Sequence, residues 1–309
     1  MNGIIEIEHL KRRFGSCEAV NDLSLSVPEG SVFALLGPNG AGKTTTIKVM
    51  MNIIRPTAGK ATVFGVDSRR LGRTQFRQIG YVSENQELPT PMTVRQLLDY
   101  CRPLYPSWDA DFAATLVRTL DIPLDRKIAV LSRGTRMKAA LVSSLAYHPK
   151  LLVLDEPFAG LDPLIREEFA QGVLELTGQQ QWTVFLASHD VDEVERLADW
   201  VAMIDNGRLL LSESISSLLA RFRQVEVVPA DGQTIPASLP ATWLLPEKAG
   251  RTVRFFDTKY EEGGSAALLE QVFPGAESVT AEAMSLRSIF VALAKASRGA
   301  NPQRGVPVG

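Results

Sequence analysis

Cysteine is scarce in this chain. Cys17 and Cys101 are the only two among 309 residues, and they lie far apart in the sequence. This spacing provides neither a disulfide framework nor the clustered thiolates of a structural zinc site. We therefore expect the protein to work in a reducing compartment, the cytosol.

Long apolar runs are also missing. No stretch approaches the roughly 18 consecutive apolar residues that a membrane-spanning helix needs. The first residues, Met1 to Glu8, carry charges where a signal peptide requires an apolar segment. We therefore expect a chain that is not exported and does not itself cross a membrane.

The chain also lacks an excess of charge of one sign. The 33 Lys and Arg residues almost balance the 35 Asp and Glu residues, which leaves a formal net charge of -2. A surface built mainly to neutralise a nucleic-acid backbone needs a basic excess, so we expect no nucleic-acid partner.

The hydrophobic fraction of 45% is that of a globular protein, and the length exceeds what one core usually organises. Two domains are therefore predicted.

Two kinds of apolar pattern predict the sheets of the first domain, which we assign to residues 1–220. Apolar and polar residues alternate over 4–7 and 23–27, which is typical of half-buried antiparallel strands. Continuous apolar runs over 31–36, 151–154 and 183–187 instead indicate buried strands of a parallel sheet. The resulting fold class is α/β with a mixed sheet.

A helical insertion interrupts this sheet at about residues 86–145. Its apolar residues recur at helical steps, for example Val94, Leu97 and Leu98. The apolar residues Leu209–Leu211 predict an edge strand of the sheet, and a helix predicted over Ser214–Phe222 then ends the first domain.

A small α+β domain is predicted over residues 221–297. Its expected strands and helices are Val225–Val228, Thr252–Phe256, Ala266–Val272 and the amphipathic Met284–Ala296. The last residues, 298–309, contain Gly, Pro and Asn without periodicity, so we expect a disordered tail.

A glycine-rich loop follows the first buried strand and precedes a helix predicted over Thr44–Met50. It fits the phosphate-binding pattern G-x-x-x-x-G-K-[ST]. Its backbone N–H groups and the N-terminus of the helix would bind phosphate oxygens, with Lys43 on the β and γ phosphates and the Thr44 hydroxyl on Mg²⁺. The expected nucleotide-binding residues of this loop are Gly37, Pro38, Asn39, Gly40, Ala41, Gly42, Lys43, Thr44 and the adjoining Thr45.

Acidic residues at the end of the second buried strand predict the reaction. Asp155 is placed to hold Mg²⁺, and Glu156 to orient and deprotonate a water that attacks the γ phosphate. His189 follows the third buried strand in the same way and could help to position that water. ATP and Mg²⁺ are therefore the expected ligands, and Glu156, His189 and Lys43 the expected catalytic residues.

These motifs, in this order, resemble the nucleotide-binding subunits of ATP-binding cassette (ABC) transporters over about the first 215 residues. The resemblance identifies residues 37–44 as the Walker A loop, 151–155 as the Walker B strand, Ala159–Asp162 as the D-loop and His189 as the switch histidine. It also places Phe14 where the family stacks an aromatic ring on adenine. It implies a P-loop ATPase fold and ATP hydrolysis.

The segment Leu131–Thr135 resembles a degenerate form of the family's signature motif, normally Leu-Ser-Gly-Gly-Gln. Ser132 and Gly134 are kept, whereas Arg133 and Thr135 depart from the pattern. In the family this motif covers the γ phosphate that the opposite subunit binds. The resemblance therefore implies a homodimer, or a pair with a homologous subunit, in which Ser132 and Gly134 bind nucleotide in trans.

A second departure concerns the glutamine with which the family contacts magnesium. Glu84 aligns with that glutamine and can still face Mg²⁺ as a carboxylate. Gln86 is the alternative contact, because residues two apart in an extended loop share a face. The predicted metal-binding residues are accordingly Thr44, Glu84 and Asp155.

The family implies a separate transmembrane permease as partner and a location on the inner face of the cell membrane. The segment Met284–Phe290 resembles the tail of subunits that pair with ABC-2 type permeases, which favours export. One alternative is a soluble ABC ATPase that acts on DNA repair, chromosomes or translation. Another is a protein that binds ATP as an interaction switch without hydrolysing it.

Overall fold

The computed structural model describes residues 3–180, 182–231, 236 and 238–299. It divides into two compact units, residues 1–212 and 213–309. Within the described part of the chain, no helix combines the length and the apolar character that a membrane span requires.

A six-stranded sheet forms the centre of the first unit, with the strand order β10-β9-β3-β8-β7-β6. Its strands are β3 (Val32–Leu36), β6 (Ile79–Ser83), β7 (Leu151–Asp155), β8 (Thr183–Ser188), β9 (Trp200–Asp205) and β10 (Arg208–Ser214). The strands from β9 through β6 are parallel. The two-residue turn Asn206–Gly207 has φ of 50° and 74°, as a tight hairpin requires, so β10 runs antiparallel to β9. The predicted α/β class with a mixed sheet is confirmed.

The register of the parallel strands brings their carboxyl ends to one edge of the sheet. Ser83 at the end of β6 pairs with Asp155 at the end of β7. Asp155 in turn pairs with Ala187, and Leu36 at the end of β3 pairs with Ser188. Loops that follow these strands therefore start side by side, which is where open α/β sheets bind ligands.

A four-stranded sheet with the order β2-β1-β4-β5 completes the unit. Its strands are β1 (Ile5–Phe14), β2 (Cys17–Val27), β4 (Ala58–Val63) and β5 (Val66–Asp67). Each neighbouring pair is antiparallel, and the alternating residues Ile5 and Ile7 are buried with Phe33 of β3 in one hydrophobic cluster. The alternation over 4–7 thus marked the start of a strand that continues to Phe14.

Helices fill the connections between these strands. The helices of this unit are α1 (Lys43–Met50), α2 (Arg73–Phe76), α3 (Val94–Cys101), α4 (Ala110–Thr119), α5 (Arg133–Leu145), α6 (Pro163–Gln180) and α7 (Val191–Leu197). Helices α3 to α5 lie between β6 and β7 in the chain, inside the predicted insertion at 86–145. Thr93, Asp109 and Ser132 cap them through side-chain oxygens that accept backbone N–H groups.

The second unit contains a four-stranded sheet with the order β12-β13-β11-β14. Its elements are β11 (Arg223–Val228), β12 (Trp243–Ala249), β13 (Thr252–Asp257), β14 (Ser278–Ala283), α8 (Ile215–Arg221), α9 (Glu262–Val272) and α10 (Leu286–Gly299). Trp243 stacks on Phe255 and on Phe273, with ring centroids 4.1 Å and 6.2 Å apart, and the three rings share one hydrophobic cluster. This unit is an α+β structure with its own core.

Two boundaries differ from the expectation. We predicted the domain border between residues 220 and 221, whereas the second unit begins at Glu213, because α8 contacts α10 and Arg221 forms an ion pair with Glu213. The predicted tail began at Arg298, but α10 continues through Gly299. The remainder of that tail lies outside the described residues.

Candidate nucleotide site

The loop between β3 and α1 turns with two glycines in a left-handed conformation. Gly40 has φ of 81° and Gly42 φ of 104°. A Cβ atom at Gly42 would lie 2.4 Å from the carbonyl oxygen of Ala19, and one at Gly37 would lie 2.5 Å from that of Ile204. Neighbouring backbone thus packs directly on the loop, which makes glycine necessary at both positions.

The other residues of this loop connect it to its surroundings. The Ala41 N–H donates to the carbonyl oxygen of Pro38 over 3.1 Å, and the Ala41 carbonyl accepts from Gly207 over 3.0 Å. Asn39 is exposed at the tip, and Thr45 is half-buried in the first turn of α1. The sequence-predicted loop residues are therefore contiguous around the N-terminus of α1.

Lys43 is held inside the loop. Its side chain is only 5% exposed, and Nζ donates to the carbonyl oxygens of Gly37 and Pro38 over 2.7 and 3.1 Å. The same ammonium lies 3.0 Å from Oε1 of Glu156, an ion-pair distance without the angle of a hydrogen bond. The loop lysine and the predicted catalytic carboxylate are therefore in contact in this chain.

Thr44 and Asp155 bring two side-chain oxygen atoms together. The Thr44 hydroxyl donates to Oδ1 of Asp155 over 3.0 Å. Burial raises the pKa of the Asp155 carboxyl, and the negative charge of the neighbouring Glu156 raises it further. The hydrogen bond from Thr44 and the positive charge of Lys43 lower the same pKa. A cation beside this carboxylate would relieve the burial of its charge.

These two side chains fit magnesium. Mg²⁺ prefers oxygen ligands and usually keeps several waters, binding through one or two protein groups and the phosphates of its nucleotide. Among the described residues there is no group of three or more His, Cys, Asp or Glu side chains arranged to hold a metal by themselves. The pair Thr44–Asp155 therefore suits a cation that arrives with a nucleotide.

Glu156 and His189 come together at the carboxyl edge of the sheet. Nδ1 of His189 lies 2.7 Å from Oε2 of Glu156, and the backbone N–H of Glu156 donates to the carbonyl oxygen of Ala187 over 3.0 Å. Glu156 adopts φ of 51°, in the left-handed region that few non-glycine residues occupy. Its carboxylate is thereby directed between Lys43 on one side and His189 on the other.

A second layer of polar residues supports the segment before and after His189, and sequence analysis missed it. Ser188 donates to Glu193, and Arg166 forms ion pairs with Asp190 and Glu193, each 3.2 Å long. Burial raises the pKa of the Glu193 carboxyl to about 7, which Ser188 and Arg166 oppose and Asp190 and Glu156 reinforce. The available signal was the spacing of Asp190 and Glu193 around the start of α7.

Glu84 is near the predicted metal residues through its backbone, while its carboxylate contacts another group. Its N–H donates to the carbonyl oxygen of Asp155 over 2.9 Å. Its Oε1, however, lies 2.5 Å from Nη2 of Arg133. Gln86, the alternative contact, accepts a long bond of 3.4 Å from the N–H of Ser83 through its side-chain oxygen. The structure thus brings neither side chain onto Thr44 or Asp155.

Ser132 and Gly134 lie at the N-terminus of α5. The Ser132 hydroxyl accepts the N–H of Thr135 over 3.1 Å as the helix cap. No hydrogen bond or ion pair between described residues joins Ser132 or Gly134 to the loop 37–44 of the same chain. The structure therefore does not unite this predicted part of the site with the rest.

Phe14 ends β1 on the surface. Its ring is 46% exposed, and the guanidinium carbon of Arg12 lies 4.3 Å from the ring centroid. An exposed aromatic ring of this kind can stack on a planar base.

The family model described as ABC transporter matches residues 20–159. The bacitracin transport ATP-binding protein BcrA of Enterococcus faecalis is 27% identical over 268 residues, which cover 85% of this chain and 87% of that protein. BcrA of Bacillus licheniformis is 30% identical over 226 residues, which cover 72% of this chain and 74% of that protein.

A solved structure of an ATP-binding subunit of an ABC transporter superposes with a TM-score of 0.64 at 26% identity, over 70% of this chain and 92% of that one. The matched residues 20–159 contain the loop 37–44 and the carboxylates Asp155 and Glu156. The chain therefore belongs to the ATP-binding subunits of ABC transporters, and it is an ATPase.

Proposed function

We propose that Glu156 directs water onto the γ phosphate of an ATP bound by the loop 37–44. The observation that carries this assignment is the contact of one carboxylate with two groups, Lys43 at 3.0 Å and His189 at 2.7 Å. A carboxylate between the phosphate-binding lysine and a histidine can accept a proton from water while the histidine orients it. Glu156 is thus the general base and His189 its partner.

Lys43 and the backbone of the loop bind the phosphates. In the structure Lys43 donates to two carbonyl groups of its own loop, so the ammonium is already aimed into the loop. A γ phosphate that enters replaces these weak acceptors with charged oxygens, and it separates Lys43 from Glu156. Binding of ATP therefore frees the Glu156 carboxylate for water.

Thr44 and Asp155 would hold Mg²⁺ beside the β and γ phosphates. When bound, the ion supplies neutralisation of the charge that develops on the phosphate oxygens. The contribution of this chain is a hydroxyl and a buried carboxylate that are already paired at 3.0 Å.

The complete site includes a second copy of the chain or a homologous subunit. Ser132 and Gly134 supply a hydroxyl and the N–H groups of a helix N-terminus, which together favour an anion. Since they are not joined to the loop 37–44 of their own chain, we assign them to the nucleotide of the partner subunit. Phe14 is assigned to the adenine ring.

The energy of hydrolysis drives a separate transmembrane permease, and we propose export as its direction. The BcrA relatives carry the name bacitracin transport ATP-binding protein, which supports a transport role over a soluble ABC ATPase. The chain would then reside on the cytoplasmic face of the cell membrane, bound to the permease, with no nucleic acid involved.

Replacing Glu156 tests the chemical assignment. Glu156→Gln keeps the size of the side chain and removes the base, so ATP binding should persist while hydrolysis falls at least about 100-fold. Glu167→Gln is the matched control, because Glu167 is an exposed carboxylate that pairs with Arg196. Equal hydrolysis by wild type and Glu156→Gln would reject the assignment of the base.

Co-purification tests the transport assignment. The tagged chain is expressed in its native cells, the membranes are solubilised, and proteins that accompany it are identified while ATPase activity is assayed. Recovery of a polytopic membrane protein with ATPase activity is expected. Recovery of only soluble partners or nucleic acid would contradict the proposed permease.

A further inference from the structure

Two residues that depart from the family pattern contact each other. Arg133 stands where the signature motif normally has glycine, and Glu84 stands where the family has a magnesium-contacting glutamine. In the structure Nη2 of Arg133 lies 2.5 Å from Oε1 of Glu84. The first residue of α5 is thus tied to the first residue after β6 by an ion pair that the usual family residues cannot form.

The guanidinium of Arg133 is fitted against a second loop. Gly160 has φ of 69°, and a Cβ atom there would lie 2.5 Å from Nη1 and 3.0 Å from Cζ of Arg133. The absence of a side chain at Gly160 therefore leaves room for the guanidinium. Arg133 lies between the loop after β6 and the loop after β7, so its position is defined on two sides.

The main chain of Glu84 is fixed beside the proposed metal site. Ser83 pairs with Asp155 in the sheet, and the N–H of Glu84 donates to the carbonyl oxygen of Asp155 over 2.9 Å. The carboxylate, in contrast, points to α5. The main chain of Glu84 is thus held beside Asp155, while its carboxylate is held on α5 by Arg133.

The ion pair is accessible to water. The side chains of Arg133 and Glu84 are 40% and 30% exposed, and both line a cleft of about 650 Å³ between the segment 83–91 and α5. Solvent screening keeps pairs of this kind weak, so a competing cation can separate them. A strong, fully buried pair would not permit such an exchange.

We infer that Arg133 is a positioning residue that holds the Glu84 carboxylate on α5 and thereby competes with Mg²⁺ for it. The inference rests on the proposed function, because it takes Thr44 and Asp155 as the residues that hold the ion. It assigns two states to Glu84: paired with Arg133 without metal, and released towards the metal when nucleotide is bound. Helix α5 and the proposed metal site of the same chain are then coupled through the Glu84 carboxylate.

The Mg²⁺ dependence of ADP binding tests this competition. ADP lacks the γ phosphate, and at dilute protein concentration its binding reports the loop of one chain without a partner subunit. A fluorescent ADP analogue is titrated with Mg²⁺ for the wild type and for Arg133→Gln, Glu84→Gln and the double variant. The measured quantity is the Mg²⁺ concentration at half-maximal binding.

Arg133→Gln should lower that concentration by about two- to five-fold, since removal of a partly exposed partner releases the carboxylate. Glu84→Gln should raise it, and the double variant should match Glu84→Gln because no carboxylate is left to withhold. Arg133→Lys keeps the charge and should remain closer to the wild type than Arg133→Gln does. A merely structural role predicts that every change at Arg133 weakens binding.

Arg136→Gln is the matched control, because Arg136 lies on the same helix and lines the same cleft. It should leave the Mg²⁺ dependence unchanged. If Arg133→Gln does not fold, Arg133→Met provides a second route, since it also removes the charge while keeping an unbranched side chain, and it should shift the dependence in the same direction.

Three results would overturn the competition: a higher Mg²⁺ requirement in Arg133→Gln, an unchanged requirement, or additive effects in the double variant. Failure of the proposed function has a different signature. In that case the wild type itself would show no Mg²⁺-dependent ADP binding, and changing Thr44 or Asp155 would have no effect on nucleotide binding.

Discussion

Nζ of Lys43 lies 3.0 Å from Oε1 of Glu156, so the lysine of the loop 37–44 is paired with the candidate general base. Both side chains are largely buried, with exposures of 5% and 13%. In such surroundings the loss of one partner leaves the other charge poorly compensated. This contact links the stability of the chain to two residues of the proposed nucleotide site.

The contact predicts a stability cost for Lys43→Met. The variant leaves the Glu156 carboxylate with His189 as its remaining partner, so the free energy of unfolding should fall by about 1–3 kcal/mol. Adding Glu156→Gln removes the uncompensated charge and should recover part of that loss. Denaturant unfolding of the two single variants and the double variant measures the coupling; strictly additive losses would show that the contact has no energetic role.

His189 is expected to affect turnover more than binding. His189→Ala removes the group 2.7 Å from Glu156 and leaves the loop 37–44 intact. Positioning of a base and its water contributes about 100-fold or more to a rate, so kcat should fall by that order with ATP affinity changed little.

His148→Ala serves as the control for His189→Ala. His148 also contacts a carboxylate, that of Asp109 at 3.1 Å, but it lies in the connection between α5 and β7. Its replacement should leave kcat within about two-fold of the wild type, as expected of a surface pair. A large loss of ATP affinity in His189→Ala, with kcat preserved, would be incompatible with the proposed role.

Gly42→Ala is expected to disrupt the phosphate-binding loop. A side chain at φ of 104° is strained, and the added Cβ would lie 2.4 Å from the carbonyl oxygen of Ala19. Gly30→Ala is the matched control, because Gly30 also has positive φ, 75°, but has open space around it. The control isolates backbone strain of about 1–2 kcal/mol. Thermal unfolding and ATP binding should both be impaired more by Gly42→Ala; equal losses would show that the loop yields to the methyl group.

The sequence predicted those parts of the site that depend on local order. The loop 37–44 and Asp155–Glu156 follow apolar runs that became β3 and β7, and the parallel register then brought both to the same edge of the sheet. The same reasoning anticipated the helical insertion. These features depend on hydrophobic patterning and on motif spacing, which can be recognised in a single sequence.

Long-range contacts could not be predicted from the sequence in this way. The pairing of Glu84 with Arg133 joins residues 49 apart in sequence and depends on how α5 packs beside β6. Nothing in the composition around either residue identifies the other as its partner. The exposed strand β14, too, has no alternation of buried and exposed residues, so only its pairing with β11 defines it.

Glu193 should make the stability of the protein depend on pH. Burial raises its pKa from 4.5 to about 7, so between these values the folded chain binds a proton that the unfolded chain releases. The stabilisation that protonated Glu193 contributes to the folded chain is therefore fully present below about pH 4.5, and it is lost as the pH rises through about 7. Glu193→Gln removes the titration and should flatten the pH dependence of the unfolding free energy in that window.

Glu195→Gln is a suitable control for the pH experiment, because Glu195 is an exposed carboxylate on the same helix α7. Its replacement should leave the difference in unfolding free energy between pH 5 and pH 7.5 as it is in the wild type. Arg166→Gln should make the pH dependence of the unfolding free energy steeper, whereas Glu193→Gln makes it flatter. The reason is that Arg166 lowers the pKa of Glu193, so its removal makes the charged form of Glu193 less favourable in the folded chain. A wild-type slope that survives in Glu193→Gln would assign the pH dependence to another group.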